Sequence, residues 1–151
     1  MKILGFIFLF LFGIFFSVPF KVTQSTQQLS HGGRMETGSS KVFIIQMRAH
    51  KPSTKLQFED LWIGINHYSI KASHQKPDNT ISNDFEKGDT IYIQVVQQYL
   101  PNENGQLRVK EVSSKTPIEY SGKALIGYKY KGKQHYFEID DFAVLPTVNR
   151  P

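Results

Sequence analysis

The residues that could do chemistry in this chain are few and scattered. His50, His67, His74 and His135 show neither H-x-H nor H-E-x-x-H spacing. Zinc needs three or four convergent ligands, so no metal site is expected. His67 and His135 can meet across strands, a pairing that is ordinarily structural. Glu59-Asp60 and Asp140-Asp141 are adjacent acidic pairs. Neighbours on a strand point to opposite faces, so neither pair forms an acid/base dyad by itself. Glycoside hydrolysis would need two carboxylates about 5–9 Å apart across a cleft, and these read as solvated turn charges. Ser39, Ser40 and Lys41 offer a hydroxyl and an amine. A lysine base must be desolvated to work, and this one stands in a polar stretch. The chain holds no cysteine. That excludes a thiol nucleophile, a disulfide scaffold, a Cys-ligated zinc and a lipidated cysteine. No catalytic residue and no cofactor is expected.

One basic hairpin stands out. Lys123, Lys129, Lys131, Lys133 and His135 interleave with Tyr128, Tyr130 and Tyr136. Strand alternation puts Tyr128 and Tyr130 on one face, with Lys129 and Lys131 on the other. Single-strand nucleic-acid binding wants aromatics and cations in one groove, so no nucleic-acid partner is expected. The lysines read first as edge protection against sheet-to-sheet aggregation, then as a surface for anionic headgroups. Trp62, the only tryptophan, lies in an apolar run and reads as a core anchor before a binding platform.

The elements that must hold these groups begin with an uncharged apolar run, Ile3 to Phe20, behind Met1-Lys2. Seven of the 12 phenylalanines fall inside it. Eighteen helical residues would span about 27 Å, close to the ~30 Å hydrocarbon core. Its end, Phe16-Ser17-Val18-Pro19-Phe20, lacks the small residues of a leader-cleavage site. The expectation is an uncleaved helical anchor over 1–20, with a cleaved signal as the alternative. Lys2 before the run, and only Lys21 close behind it, slightly favour an extracytoplasmic C-terminal domain.

Residues 21–40 are rich in Gln, Ser, Thr and Gly and read as a flexible polar stalk, with His31 a solvated residue in it. A single β-rich domain is expected over 41–146 and a frayed tail over 147–151. Strands are predicted over 42–48, 61–70, 90–97, 107–112, 124–130 and 134–139. Asn104-Gly105 predicts a type I′ hairpin turn, and Lys131-Gly132-Lys133 another reversal. Residues 140–145 fit a last strand or one helical turn. No window after residue 20 carries a helical period over three turns. The fold class expected is all-β or β-rich: a small antiparallel sandwich or partly open barrel after one N-terminal hydrophobic helix. A chain of 151 residues with net charge +5 is one domain's worth.

This order of motifs resembles the GDYXXLXY family of small membrane-anchored bacterial proteins, from the apolar run to about Asp141. Phe85-Glu86-Lys87-Gly88-Asp89-Thr90-Ile91-Tyr92-Ile93 is similar to that family's second Gly-Asp strand. Gln134-His135-Tyr136-Phe137 is similar to its late Tyr-Phe pair, with Asp140 near the acidic residue that follows. In the signature strand Asp60 and Leu61 stand where the family has its Gly-Asp pair. Trp62 stands at its first tyrosine, Ile65 at its leucine and His67 at its second tyrosine. The resemblance implies Trp62, His67, Gly88, Asp89, Tyr92, Tyr136 and Asp140 as binding residues. It also implies a role beside a multi-span membrane protein.

The resulting expectation is a membrane-anchored extracytoplasmic domain that serves as a non-enzymatic accessory or interaction partner. Its membrane contact would run through residues 3–20. The alternative is a secreted or periplasmic β domain that binds a small ligand or glycan. A hydrolase whose residues converge only in three dimensions ranks behind both.

Overall fold

Ile91, Ile93 and Val95 are buried, while Tyr92 and Gln94 between them face away from the core. This two-residue period, repeated from strand to strand, builds the protein. The computed structural model describes residues 17–32, 38–110 and 114–150. The strands, in chain order, are β1 (Phe20–His31), β2 (Ser39–Ala49), β3 (Leu56–Ile63), β4 (Asn66–Ser69), β5 (His74–Gln75) and β6 (Ile81–Ser82). Then come β7 (Thr90–Pro101), β8 (Leu107–Val109), β9 (Ala124–Tyr130), β10 (Lys133–Ile139) and β11 (Ala143–Asn149). They form a five-stranded sheet, β11-β1-β2-β7-β8, a four-stranded sheet, β10-β9-β3-β4, and the small β5-β6 pair. The fold is an all-β sandwich. Every strand pair is antiparallel except β1 with β11.

The core lies between the two larger sheets. Phe43, Ile45 and Met47 of β2 and Ile91, Ile93 and Val95 of β7 meet Leu56, Phe58 and Leu61 of β3 and Ala124, Ile126 and Tyr128 of β9. Phe20 closes one end. Its ring stands edge-on to Phe58, Tyr128 and Phe137, at centroid distances of 5.1, 5.1 and 5.2 Å.

Residues 20–31 are a strand, not the polar stalk that their composition suggests. β1 pairs with β2 from Phe20↔Ala49 to His31↔Ser39. It also carries β11 on its other side, from Thr26↔Ala143 to His31↔Asn149. A strand with neighbours on both sides satisfies its backbone through the ladders. It can therefore be built from Gln, Ser and Thr, and here Thr26 and Ser30 are themselves buried. His31 is tied down by an Nδ1 contact to Ser39 Oγ at 2.8 Å. The sheet starts at Phe20 rather than 41 and ends at Asn149 rather than 146, so the expected tail is largely strand. Of residues 1–20, expected as a helical anchor or a signal, 1–16 lie outside the described residues; 17–19 are not helical and Phe20 opens β1. Among the described residues no helix is long and apolar enough to cross a membrane.

Two turns differ from expectation, while the third, the reversal at Lys131-Gly132-Lys133, is present as expected. The predicted strand 61–70 is a hairpin: β3 turns at Gly64, with φ of +61°, into β4. In the Asn102–Gln106 loop, Gly105 has a positive φ of 73° but Asn104 does not. The loop is instead organised by Asn102, whose Oδ1 accepts from the Asn104 and Gln106 amides. The two-residue hairpin with paired positive φ is Lys131-Gly132, at +49° and +77°, between Tyr130 and Lys133.

Candidate functional site

β3 carries a register shift between Phe58 and Asp60. The bulge resets the alternation, so Leu61 faces the core while Asp60 and Trp62 share the outer face. The Gly64 turn then sets Trp62 opposite His67. On the other side, β9 places Gly127 opposite Asp60 and Leu125 opposite Trp62. β10 places Tyr136 opposite Gly127. Gly127 keeps this spot open: a Cβ would stand 3.2 Å from both Asp60 Cβ and the Trp62 ring, close enough that a neighbour would have to give way.

The outcome is a compact aromatic and polar patch. His67 Nε2 donates to Asp60 Oδ1 at 2.6 Å. The imidazole lies 5.0 Å from the indole, and Tyr136 meets the indole edge-on at 6.2 Å. Trp62 is only 7% exposed, and its Nε1 is buried without a hydrogen-bond partner. A buried unpaired donor of this kind costs about 1–3 kcal/mol. Glu59, the bulged residue, reaches Lys129 Nζ at 3.1 Å.

A second feature adjoins it. Val18, Pro19, Lys51, Tyr128, Tyr130, Lys131, Lys133, His135 and Tyr136 line a groove of about 720 Å³ at the β10 edge of the sandwich. His135 stacks on Tyr128, with centroids 5.4 Å apart and planes at 20°. Lys131 Nζ sits 5.2 Å from the centre of the Tyr130 ring. Burial holds the Tyr128 phenol above its ordinary pKa. Aromatics and cations therefore do converge here, against the expectation that alternation separates them. The turn brings Lys131 and Lys133 round to the tyrosine side. Edge protection applies to Lys133 on β10 but not to Lys129, since β9 is an interior strand.

Of the residues singled out from the sequence, Trp62, His67 and Tyr136 come together on this outer face. Gly88, Asp89 and Tyr92 form a separate group on the five-stranded sheet. There His74 Nε2 is 3.5 Å from Asp89 Oδ2, and His74 Nδ1 is 3.1 Å from the Thr90 carbonyl. That group lines a cavity of about 570 Å³ with His74, Gln75 and Lys76, and it also builds the turn before β7. Asp89 Oδ2 accepts from the Glu86 amide, and the Gly88 amide donates to the Ala49 carbonyl. The backbones of Tyr92 and Ser73 bridge the loop to the sheet. Asp140 is exposed beyond β10 and joins neither group. His67 and His135 do not pair with each other: His67 pairs with Asp60, and His135 stacks on Tyr128.

Sequence reasoning missed Asp60 as the partner of His67, Gly127 as the floor of the patch, and Lys51 and the Val18-Pro19 segment as parts of the groove. The signal for the first was present. A glycine two residues after Trp62 makes 62 and 67 cross-strand partners once it is read as a turn. No His, Asp and Glu cluster of three or more that could hold a metal occurs among the described residues. No family model, no curated protein and no solved structure matches the chain.

Proposed function

We propose that this protein is a non-enzymatic interaction domain, held against the outer face of a membrane by its N-terminal apolar segment. In this reading it serves as an accessory partner of a multi-span membrane protein. The observation that carries the reading is the burial of Pro19 and Phe20 in the sandwich, directly behind the uncharged run that starts at Ile3. No polar spacer intervenes, so whatever the run enters lies against the domain. Trp62 and Tyr136 of the patch are of the residue types enriched at interface hot spots. The Asp60–His67 pair sets an aspartate beside a histidine on this face, the juxtaposition that a hydrolase, ranked behind both binding roles, would use.

A second reading has its own support. With Pro19 and Phe20 taken into the domain, the free apolar run is Ile3 to Val18, 16 residues. As a helix that is about 24 Å, short of the ~30 Å hydrocarbon core. A shorter run suits a cleaved leader. The tyrosine-lined groove would then serve a secreted binder of a small ligand or glycan. Purification from native membranes in mild detergent separates the two. Capture of a multi-span protein, lost on Trp62→Ala with Tyr136→Ala, supports the accessory role. Recovery of the domain alone, soluble and shorter by its leader, supports the secreted binder.

A further inference from the structure

We infer that the groove between β10 and the Ser17–Pro19 segment is a seat for anionic lipid headgroups, and that it fixes how the domain stands on its membrane. This rests on the membrane-held reading above and adds to it an orientation and a ligand class.

Three observations converge. Ser17, Val18 and Pro19 line the groove. The chain therefore enters the domain through this wall, and the end of the sandwich carrying it is the membrane-proximal one. The turns at that end are basic. The Lys131 amide donates to the Lys55 carbonyl, so the β9–β10 turn packs beside Lys55. Lys51 follows β2, and Lys87 sits in the turn whose Gly88 amide bonds to Ala49. With Lys131 and Lys133 this gives five ammonium groups around one end. The groove itself has no acidic lining residue; the acids of the neighbouring turn are Glu86 and Asp89, which flank Lys87 and Gly88. The third observation is chemical. Tyr128, Tyr130 and Tyr136 line the groove with apolar ring bodies and hydroxyl tips. Tyrosine with lysine is the pairing that sits at the headgroup level, ring toward the acyl boundary and ammonium toward phosphate. A free soluble anion would use the lysines but would give no role to an apolar aromatic wall next to the point of chain entry.

The far end supplies an internal control. β1 runs its full length away from Phe20, and Ser39 at that end pairs with Tyr99 just before the Asn102–Gln106 loop. The loop therefore lies about 36 Å from the groove at ~3.3 Å per strand residue.

The native chain has no cysteine, so single spin labels can be placed without background. The full chain carrying Lys133→Cys or Asn104→Cys would be inserted in phosphatidylcholine nanodiscs, with and without phosphatidylglycerol. Accessibility to a water-soluble relaxation agent would then be read by electron paramagnetic resonance. The expected result is strong protection at 133 and none at 104 when phosphatidylglycerol is present, with the difference reduced in its absence. Adding Lys51→Gln and Lys131→Gln should return 133 toward the exposure of 104, while the Trp62 emission confirms an intact fold. Equal exposure at the two sites overturns the inference. So does protection at 104, or protection at 133 that ignores the lipid charge. Failure of the membrane-held reading shows up separately, as a native mass that lacks the N-terminal run.

Discussion

The ring of Phe20 stands edge-on to that of Tyr128, with centroids 5.1 Å apart and planes at 85°. The contact joins the last residue of the apolar N-terminal run to the middle of the four-stranded sheet. Phe20 is 3% exposed. Its removal leaves a cavity ringed by Phe58, Tyr128 and Phe137. Phe20→Ala should cost about 3–5 kcal/mol, the range for buried Phe truncations. Urea denaturation followed by circular dichroism measures it. A loss below about 1 kcal/mol would contradict the start of the domain at Phe20.

Burial also raises the Tyr128 phenol pKa. A group whose pKa is higher in the folded than in the unfolded state contributes stability that is complete below the unfolded value. That stability is lost as pH rises through the folded one. The window therefore opens at about pH 10 and extends upward. Tyr68 and Tyr120 shift in the same direction, chiefly through desolvation. Tyr128→Phe should flatten part of the alkaline loss of thermal stability and leave the neutral plateau little changed. A melting series in alkaline buffers tests this; an unchanged alkaline slope would contradict it.

Gln97 is a buried amide, 5% exposed, that donates from Nε2 to the Tyr68 hydroxyl and accepts at Oε1 from the Tyr99 hydroxyl. Gln97→Ala strands both phenols and should destabilise by about 1–3 kcal/mol. Combining Gln97→Leu with Tyr68→Phe and Tyr99→Phe removes the polar groups together and should recover most of that loss. Equal destabilisation of the single and triple variants would show that packing, not hydrogen bonding, governs the site.

Trp62 is the sole tryptophan, so its fluorescence reports on the outer-face patch alone. His67 and Tyr136 shield the indole. His67→Ala and Tyr136→Ala should each red-shift the emission and raise its quenching by iodide while the far-ultraviolet spectrum holds. Gly127→Ala should do the same, because the added methyl would stand 3.2 Å from the indole. Emission unmoved by all three would contradict the assembly of the patch.

Much of the fold was legible because the inward residues of β2, β7 and β9 follow a clear two-residue period or a dense β-branched run. β1 was not legible. Thr-Gln-Ser-Thr-Gln-Gln-Leu-Ser carries few apolar residues, and its strand state comes from neighbours that lie far along the chain, β2 and β11. Composition sees side chains, and here the backbone ladders decide. The candidate site was half legible. Trp62, His67 and Tyr136 were singled out, yet the Asp60–His67 pair depends on a bulge at Glu59 and a turn at Gly64 that alternation alone misplaces. Gly88 and Asp89 were conspicuous for a different reason: they build a turn.

The intact mass of the native protein extracted from membranes decides whether the apolar run is kept. A membrane-held protein should be recovered as the full chain, 17.4 kDa, with the apolar run still joined to Phe20. A soluble species lacking the residues before Ser17 would contradict the membrane-held reading and put the secreted binder in its place.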